Sequence, residues 1–249
     1  MKKENLEYKL YPAAYNDLQD LVTLHQEMYN ETVLRGCLIY YDPNFSQYLA
    51  RIVESSLLDK VLVLKYRGKS EGFLHFKFHK DVLFLNNIYI SPALRGKGLA
   101  SSFLKQGLEH VDISSFTKFT LDVFQSNTRA IEWYKKIGLF PTGRTLWSEL
   151  TDIVPPEIID KSIVYDIDVN GFKSIFTKGL KVATIVDQNI LLTDLSLLHQ
   201  LSMSNYKKVM TTQPTSESQL FYRVVPIDMS VRMEIQIVIL LEYLKNGEI

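Results

Sequence analysis

Leu83-Phe-Leu-Asn-Asn-Ile-Tyr-Ile-Ser-Pro-Ala-Leu-Arg-Gly-Lys-Gly-Leu-Ala-Ser-Ser-Phe-Leu104 is the stretch on which the reading of this 249-residue chain turns. Val82 to Ile90 is apolar enough for a buried strand, and Ser91-Pro92 stops it because proline offers no N–H to a ladder. The loop Arg95-Gly96-Lys97-Gly98-Leu99-Ala100 comes next. From Leu99 onward Phe103, Leu104, Leu108 and Val111 recur at helical spacing, so the order is strand, glycine-bearing loop, helix. Glycines in the loop remove Cβ atoms and let a ligand reach the main chain. The amides of the helix's first turn have no internal partner and point at whatever lies in front. The helix end adds roughly half a positive charge, and Arg95 and Lys97 add whole ones, so the expected guest is an anion such as a diphosphate. Lys97 is equally well read as a solvated surface lysine.

On the N-terminal side, a capping residue at Asn16 or Asp17 precedes Leu18, Leu21, Leu24 and Met28, which predicts a helix to Tyr29. A second helix is expected from Asn44 to Leu58. Strands are expected at Val61 to Tyr66 and Glu71 to Phe78, the latter after the turn Arg67-Gly68-Lys69-Ser70, and with Val82 to Ile90 they form an antiparallel meander. On the C-terminal side Phe116 to Phe124 reads as a strand, and Asn127 caps a short helix that Gly138 ends. Leu139 to Leu150 and Ser162 to Val169 read as two more strands. Beyond Asn170-Gly171 we expect a strand at Lys181 to Val186, a helix from Asp194 to Ser202, a polar loop from Thr211 to Ser218 and a strand from Leu220 to Val225. The apolar run Val231 to Leu244 fits strand, helix or both. The predicted domains are 1–169 and a small α/β extension, 170–249.

Composition narrows the partners. Hydrophobic residues make up 46% and charged residues 22%, with a mean hydropathy of -0.02, as in an ordinary globular protein. The 28 basic and 28 acidic side chains cancel, and residues 1–169 hold 20 of the former against 21 of the latter. Such balance argues against a nucleic-acid partner. Cys37 is the only cysteine, so neither a disulfide nor a thiolate zinc site is expected, and no metal is assigned. No uninterrupted apolar segment of signal or membrane-span length is present, so no membrane partner is expected and the compartment is read as cytoplasmic.

A P-loop needs four residues between its first glycine and Gly-Lys-Ser/Thr, and a dinucleotide fingerprint needs Gly-x-Gly-x-x-Gly; neither spacing occurs here. Arg95-x-x-Gly98-x-Ala100 instead resembles the acetyl-CoA loop of the GNAT superfamily of N-acetyltransferases. That superfamily's next motif resembles Asn127-x-x-Ala130-x-x-x-Tyr134-x-x-x-Gly138-Leu139, and the resemblance covers roughly residues 4 to 169. It implies an α/β (α+β) fold, with a mixed, mostly antiparallel sheet flanked by helices. It also implies transfer of an acetyl group from acetyl-CoA to a primary amine of a small molecule or protein, by direct attack and without a covalent enzyme intermediate. A non-catalytic acyl-CoA-binding or regulatory module is the alternative.

The resemblance further implies that the strand ending at Ile90 splays from Phe116–Phe124, and that the pantetheine arm lies in the gap. Main-chain groups of Ile88, Tyr89 and Ile90 would meet the arm. Amides of Arg95, Gly96, Lys97, Gly98, Leu99 and Ala100 would hold the pyrophosphate, and Asn127 and Ala130 would line the arm's path. Tyr134 stands two helical turns after Asn127 and would be the catalytic acid: a phenol near ~10 can protonate a leaving thiolate whose thiol titrates near ~8.5. Its other reading is a core aromatic.

The base is not evident, because the strand from Val82 to Ile90 carries Asn86 and Asn87 where many relatives carry a glutamate. Asp122, His75 and His79 are in reach in principle, each also readable as structural. Tyr29, Tyr40, Tyr41, Asp42 and Tyr48 suit either an acceptor lining for a cationic amine or a loop packed on its own aromatics. The last 80 residues fit a degenerate second half of the same kind, binding no CoA, or a contact for a homodimer.

Overall fold

A computed structural model describes residues 8–156, 162–214 and 221–246. In chain order the elements are β1 (Tyr8–Pro12), α1 (Leu18–Glu27), α2 (Phe45–Ser55), β2 (Asp59–Tyr66), β3 (Lys69–His79), β4 (Val82–Ile90), α3 (Leu99–Leu108), β5 (Lys118–Phe124), α4 (Thr128–Lys136) and β6 (Phe140–Thr151). Then come β7 (Val164–Ile167), β8 (Lys173–Thr177), β9 (Leu180–Val186), β10 (Asn189–Leu192), β11 (Lys208–Thr211), β12 (Arg223–Gln236) and α5 (Ile237–Asn246). The chain forms two compact units, residues 1–28, 49–143 and 231–249 in the first and 29–48 and 144–230 in the second. Contacts therefore divide the chain elsewhere than at residue 169, because distant strands complete each unit.

In the first unit the strand order is β1-β2-β3-β4-β5-β12. Strands β1 to β4 are an antiparallel meander, and β5 joins β4 in parallel after the crossover through α3. Helix α1 buries Leu18, Leu21, Leu24 and His25, which stand at steps of three and four. Helix α3 buries Phe103, Leu104, Gly107 and Leu108 in a core with Leu62, Leu64, Leu74, Phe76, Phe119 and Leu121. A Cβ at Gly107 would stand 2.4 Å from Leu74, so glycine lets α3 lie close to the sheet.

In the second unit the order is β6-β11-β10-β9-β8-β7. It repeats the first: an antiparallel meander β7 to β10, then β11 parallel to β10. Even the turns agree. Arg67-Gly68 (φ 51 and 78) joins β2 to β3, and Lys178-Gly179 (φ 50 and 78) joins β8 to β9; each hairpin has a register shift at the same distance from its turn, at Leu64/Lys65 and at Ile175/Phe176. Paired positive φ values match the right-handed twist of the flanking strands. The sixth strand of each unit comes from the opposite end of the chain order: β6, which follows α4, pairs with β11, while β12, which follows β11, lies beside β5. The connector 29–48 belongs to the second unit, held by Asn189 Nδ2 donating to the Gly36 carbonyl (2.8 Å) and Lys208 Nζ to that of Val33 (3.1 Å).

Most local expectations agree with these elements, and β4 agrees at both ends. The differences lie at the start, where β1 was not expected, and in the last third, where β8 and β10 were not expected and the helix expected from Asp194 is only a 3-10 turn, Leu195–His199. Val231–Leu244 is both strand and helix, changing at Gln236/Ile237. The polar loop expected from Thr211 and the start of the strand expected at Leu220 fall partly outside the described residues. Among the described residues no helix is long and apolar enough to cross a membrane.

Candidate active site

Two backbone irregularities meet in β4. Pairing with β5 runs from Val82↔Lys118 to Leu85↔Leu121 and stops, although β4 continues to Ile90 and β5 to Phe124. Pairing with β3 passes from Phe76↔Leu85 to His75↔Asn87, so Asn86 is the extra residue of a bulge. A bulge bends its strand, and this one stands where β4 leaves β5. Main-chain groups of Ile88, Tyr89 and Ile90 thus lie on a strand whose β5 side has no strand partner.

Beyond Ile90 the chain turns through Pro92–Leu94 into Arg95-Gly96-Lys97-Gly98. Gly96 and Gly98 have φ of 79 and 74, values that side chains disfavour, and Gly98 is the N-cap of α3 with no side chain closing the first turn. A Cβ built at Gly98 meets no heavy atom within 4 Å, so the loop's outer face there is open. The amides of Leu99 and Ala100 open this uncapped helix. Arg95 donates from Nε to the Ile90 carbonyl (2.7 Å) and its guanidinium lies 5.1 Å from the Tyr89 ring, which fixes the loop to the end of β4. Lys97 is exposed. Arg129 of α4, not anticipated from the sequence, brings Nη2 to 3.9 Å from the Cβ that Gly96 lacks. The loop therefore has cationic side chains on two sides. Ser91 Oγ, just after β4, is buried and has no hydrogen-bond partner among the described residues.

Asn127 caps α4 as expected, its Oδ1 accepting from Ala130 N at 3.2 Å. Trp133 Nε1 donates to Ser101 Oγ (3.0 Å), tying α4 to the first turn of α3. Tyr134 is 5% exposed and belongs to the core, so its packing role is real. Burial pushes its phenol well above the usual range, making it a weaker acid than the free phenol assumed from the sequence.

The residues weighed as a base fare differently. Asp122 forms a two-point ion pair with Arg232, whose guanidinium also lies 5.3 Å from the Phe84 ring. His75 is buried at 3% exposure, with Nε2 2.7 Å from Asp59 Oδ1 and Nδ1 3.2 Å from Asn86 Nδ2. Burial holds its imidazole below the usual histidine range against the pull of Asp59. Burial of Asp59 is outweighed by hydrogen bonds from His75 and Ser56 and by the Lys77 charge, which bring its carboxyl down to about 2. His79 ends β3 with its ring 6.0 Å from that of Phe84. A polar pair on α1 and β4, Tyr89 OH donating to Glu27 Oε2 at 3.1 Å, lies on the same sheet face as His75 and was not read from the sequence.

In the connector, Tyr29 stacks on Tyr40 (5.3 Å), Tyr40 meets Phe45 edge-on (5.2 Å) and Tyr48 packs on Phe172 (5.2 Å). Asp42 is buried and its carboxylate accepts from Asn44 N at 2.8 Å in the turn that leads into α2. The rings of this segment therefore pack on one another and, through Tyr48, on Phe172. Cys37 is buried too, and burial raises its thiol, the opposite of what a nucleophile needs.

Residues 18–139 match the family described as acetyltransferase (GNAT). Similar solved structures include a tandem GNAT protein from the clavulanic acid biosynthesis pathway, solved without acetyl-CoA (TM-score 0.64, 10% identity, 92% of this chain and 98% of that one). A candidate acetyltransferase from Pyrococcus horikoshii gives TM-score 0.63 at 12% identity, over 94% and 92% of the two chains. A spermidine N-acetyltransferase from Vibrio cholerae, in complex with CoA and spermine, gives 0.50 at 13%, over 95% and 99%. At these identities the likeness is one of fold.

Proposed function

From the premise that residues 18–139 are a GNAT acetyltransferase domain, we propose that the chain transfers the acetyl group of acetyl-CoA to a primary amine. The observation that carries the proposal is the coincidence at one end of β4: pairing with β5 stops at Leu85↔Leu121, and the uncapped start of α3 follows on the same strand. An open strand edge suits the amides of a pantetheine arm, and an uncapped helix end beside cationic side chains suits a diphosphate. In this reading Ile88, Tyr89 and Ile90 pair through their main chains with the arm. The amides from Arg95 through Gly96, Lys97, Gly98 and Leu99 to Ala100 hold the pyrophosphate, and Lys97 and Arg129 supply charge. Asn127 adds a hydrogen bond to the arm, and Ala130 is small enough to let it pass α4.

Transfer is direct. The amine nitrogen, having lost one proton to water, attacks the acetyl carbonyl carbon; as the tetrahedral adduct collapses the carbon–sulfur bond breaks, the CoA thiolate leaves and the nitrogen gives up its second proton to water, leaving the amide. Tyr134 gives that sulfur a proton and regains one from solvent. Its buried phenol keeps its proton across the working pH range, so the acid form is always present. The buried, raised Cys37 thiol favours this path over an acyl-enzyme.

The second unit is read as a degenerate copy of the first, supported by the repeated strand order and turns and by the likeness to a tandem protein. Its β10 ends with its last β11 pair, Leu192↔Thr211, which leaves no open edge. Asp194 then occupies the position of the anion loop and accepts from Ser196 N at 2.9 Å.

Calorimetry with acetyl-CoA and a thiol-release assay over spermidine, a lysine peptide and small primary amines test the proposal. One bound equivalent per chain and release with at least one amine are expected. Binding without release on any amine would mark a non-catalytic acyl-CoA-binding module instead.

A further inference from the structure

The core of the first unit contains a polar chain that the reaction as described does not use. Asp59 Oδ1 lies 2.7 Å from His75 Nε2, His75 Nδ1 lies 3.2 Å from Asn86 Nδ2, and Asn86 Nδ2 donates to Asn87 Oδ1 at 2.6 Å. His75 and Asn87 are 3% and 6% exposed, and an apolar pair at these positions would fill the space at less cost in desolvation. The chain of bonds has one direction. A carboxylate only accepts, so Nε2 of His75 carries the proton; a neutral imidazole then accepts at Nδ1, where Asn86 presents its NH₂ group and the Asn87 side chain is a second hydrogen-bond partner of the ring. Both hydrogens of that NH₂ are spent, one on His75 and one on Asn87. Asn86 Oδ1 is left as the free acceptor of the chain, with no protein partner among the described residues, on a half-exposed side chain.

Its location is specific. Asn86 is the bulge residue of β4 and the first residue beyond the last β5 pair, so it stands at the apex of the gap. It shares the face of His75, and along that face lie Phe73, Tyr89 and Glu27 of α1. Val82 to Ile90 offers no carboxylate at this apex. Hydrogen bonds in a series polarise one another at low dielectric, so the Asp59 charge strengthens the acceptor at Nδ1 and, through Asn86 N–H, the negative end of the Asn86 carbonyl.

Resting on the acetyltransferase reading, we propose that Asn86 Oδ1 is a binding group for the acceptor amine. It accepts an N–H of the amine and aims its lone pair at the thioester, while Asp59 and His75 act as positioning residues that fix and polarise it. A neutral oxygen orients the nucleophile without trapping it as an ammonium ion. The proton still leaves to water.

Steady-state kinetics with the best amine and direct titration of acetyl-CoA separate this role from a structural one. Asn86→Ala should lower kcat/KM for the amine about 10- to 100-fold while the acetyl-CoA Kd stays within about twofold. Asp59→Asn keeps an acceptor for Nε2–H but removes the charge, and should lose about tenfold on the amine alone. His75→Gln can donate to Asp59 and accept from Asn86, so it should retain most activity where His75→Phe does not. Should His75→Phe fail to fold, Asn86→Ala decides. A parent-like kcat/KM in Asn86→Ala, or an equal loss of acetyl-CoA affinity, would overturn the proposal and leave the acetyltransferase reading standing. A parent enzyme that binds acetyl-CoA and releases no thiol with any amine removes that reading, and this inference with it.

Discussion

The two units share a strand order and differ where chemistry would occur. In the first, β4 outruns its pairing with β5, and α3 begins at Gly98 with an open first turn. In the second, β10 stops with its last partner, and the following turn begins at Asp194, whose own carboxylate takes a first-turn amide. An anion site at a helix end needs free amides and room for the ligand. Asp194 fills the one, and the completed β10–β11 pair removes the neighbouring edge. The same topology thus leaves an open strand edge with an uncapped helix start, or closes both, depending on strand length and one capping residue.

The largest way to break this comparison is Gly98→Val. Position 98 requires φ of 74 and presents an open face to a ligand, so a branched side chain should strain the cap and abolish acetyl-CoA binding, a loss of at least about 100-fold by calorimetry. An unchanged Kd in a folded variant would remove the loop assignment. Tyr134→Phe keeps the ring and deletes the hydroxyl: turnover should fall about 100-fold with acetyl-CoA affinity near the parent value. Full turnover would return Tyr134 to a packing role alone.

Acid should distinguish the units as well. His25 is 1% exposed and burial holds its imidazole down to about 3; His75 is lowered in the same direction, whereas the second unit's His199 is exposed. The unfolded histidine takes up its proton near pH 6.5 and the folded one does not. The first unit's stability is therefore full above about pH 6.5 and lost as pH falls toward 3, by about 2 kcal/mol from His25 alone at pH 5. Amide protection factors, which are exchange rates corrected for their intrinsic pH dependence, should fall between pH 7 and pH 5 in α1 and β3 more than in β9 and β10; equal falls in both would contradict it. The smallest effect expected is Asp194→Ala. Losing the cap should cost the second unit about 1 kcal/mol in denaturant unfolding, while the chain still binds a single equivalent of acetyl-CoA. A second equivalent would show that Asp194 alone closes that site.

Much of the candidate site was legible because its signals are local. Proline after serine ends β4 at Ile90, glycine at 96 and 98 marks the loop, and Asn127 is a cap wherever a helix follows it. The link from His75 to Asp59 and Asn86 was not legible, since its members come from three strands and only register brings them together. A histidine at an inward position of Phe73-Leu74-His75-Phe76 was the one available hint. Arg129 was hidden for a similar reason: within its motif it reads as an ordinary exposed residue, and only the approach of α4 to the loop sets it beside Gly96. The shorter strands β8 and β10 carry weak patterns, and Asp194 announced a helix that Leu195–His199 does not sustain.

By itself, the sequence determined the meander, the strand–loop–helix around Gly98 and the cap at Asn127, because backbone conformation and hydrophobic period are short-range properties. Only the tertiary structure decided that β6 completes one unit and β12 the other, that β4 parts from β5 at Asn86, and that the half-buried Asp59 carboxylate is linked through an imidazole to the residue at that parting. Strand pairing and desolvation depend on residues far apart in the chain, and no local pattern encodes which of them will meet.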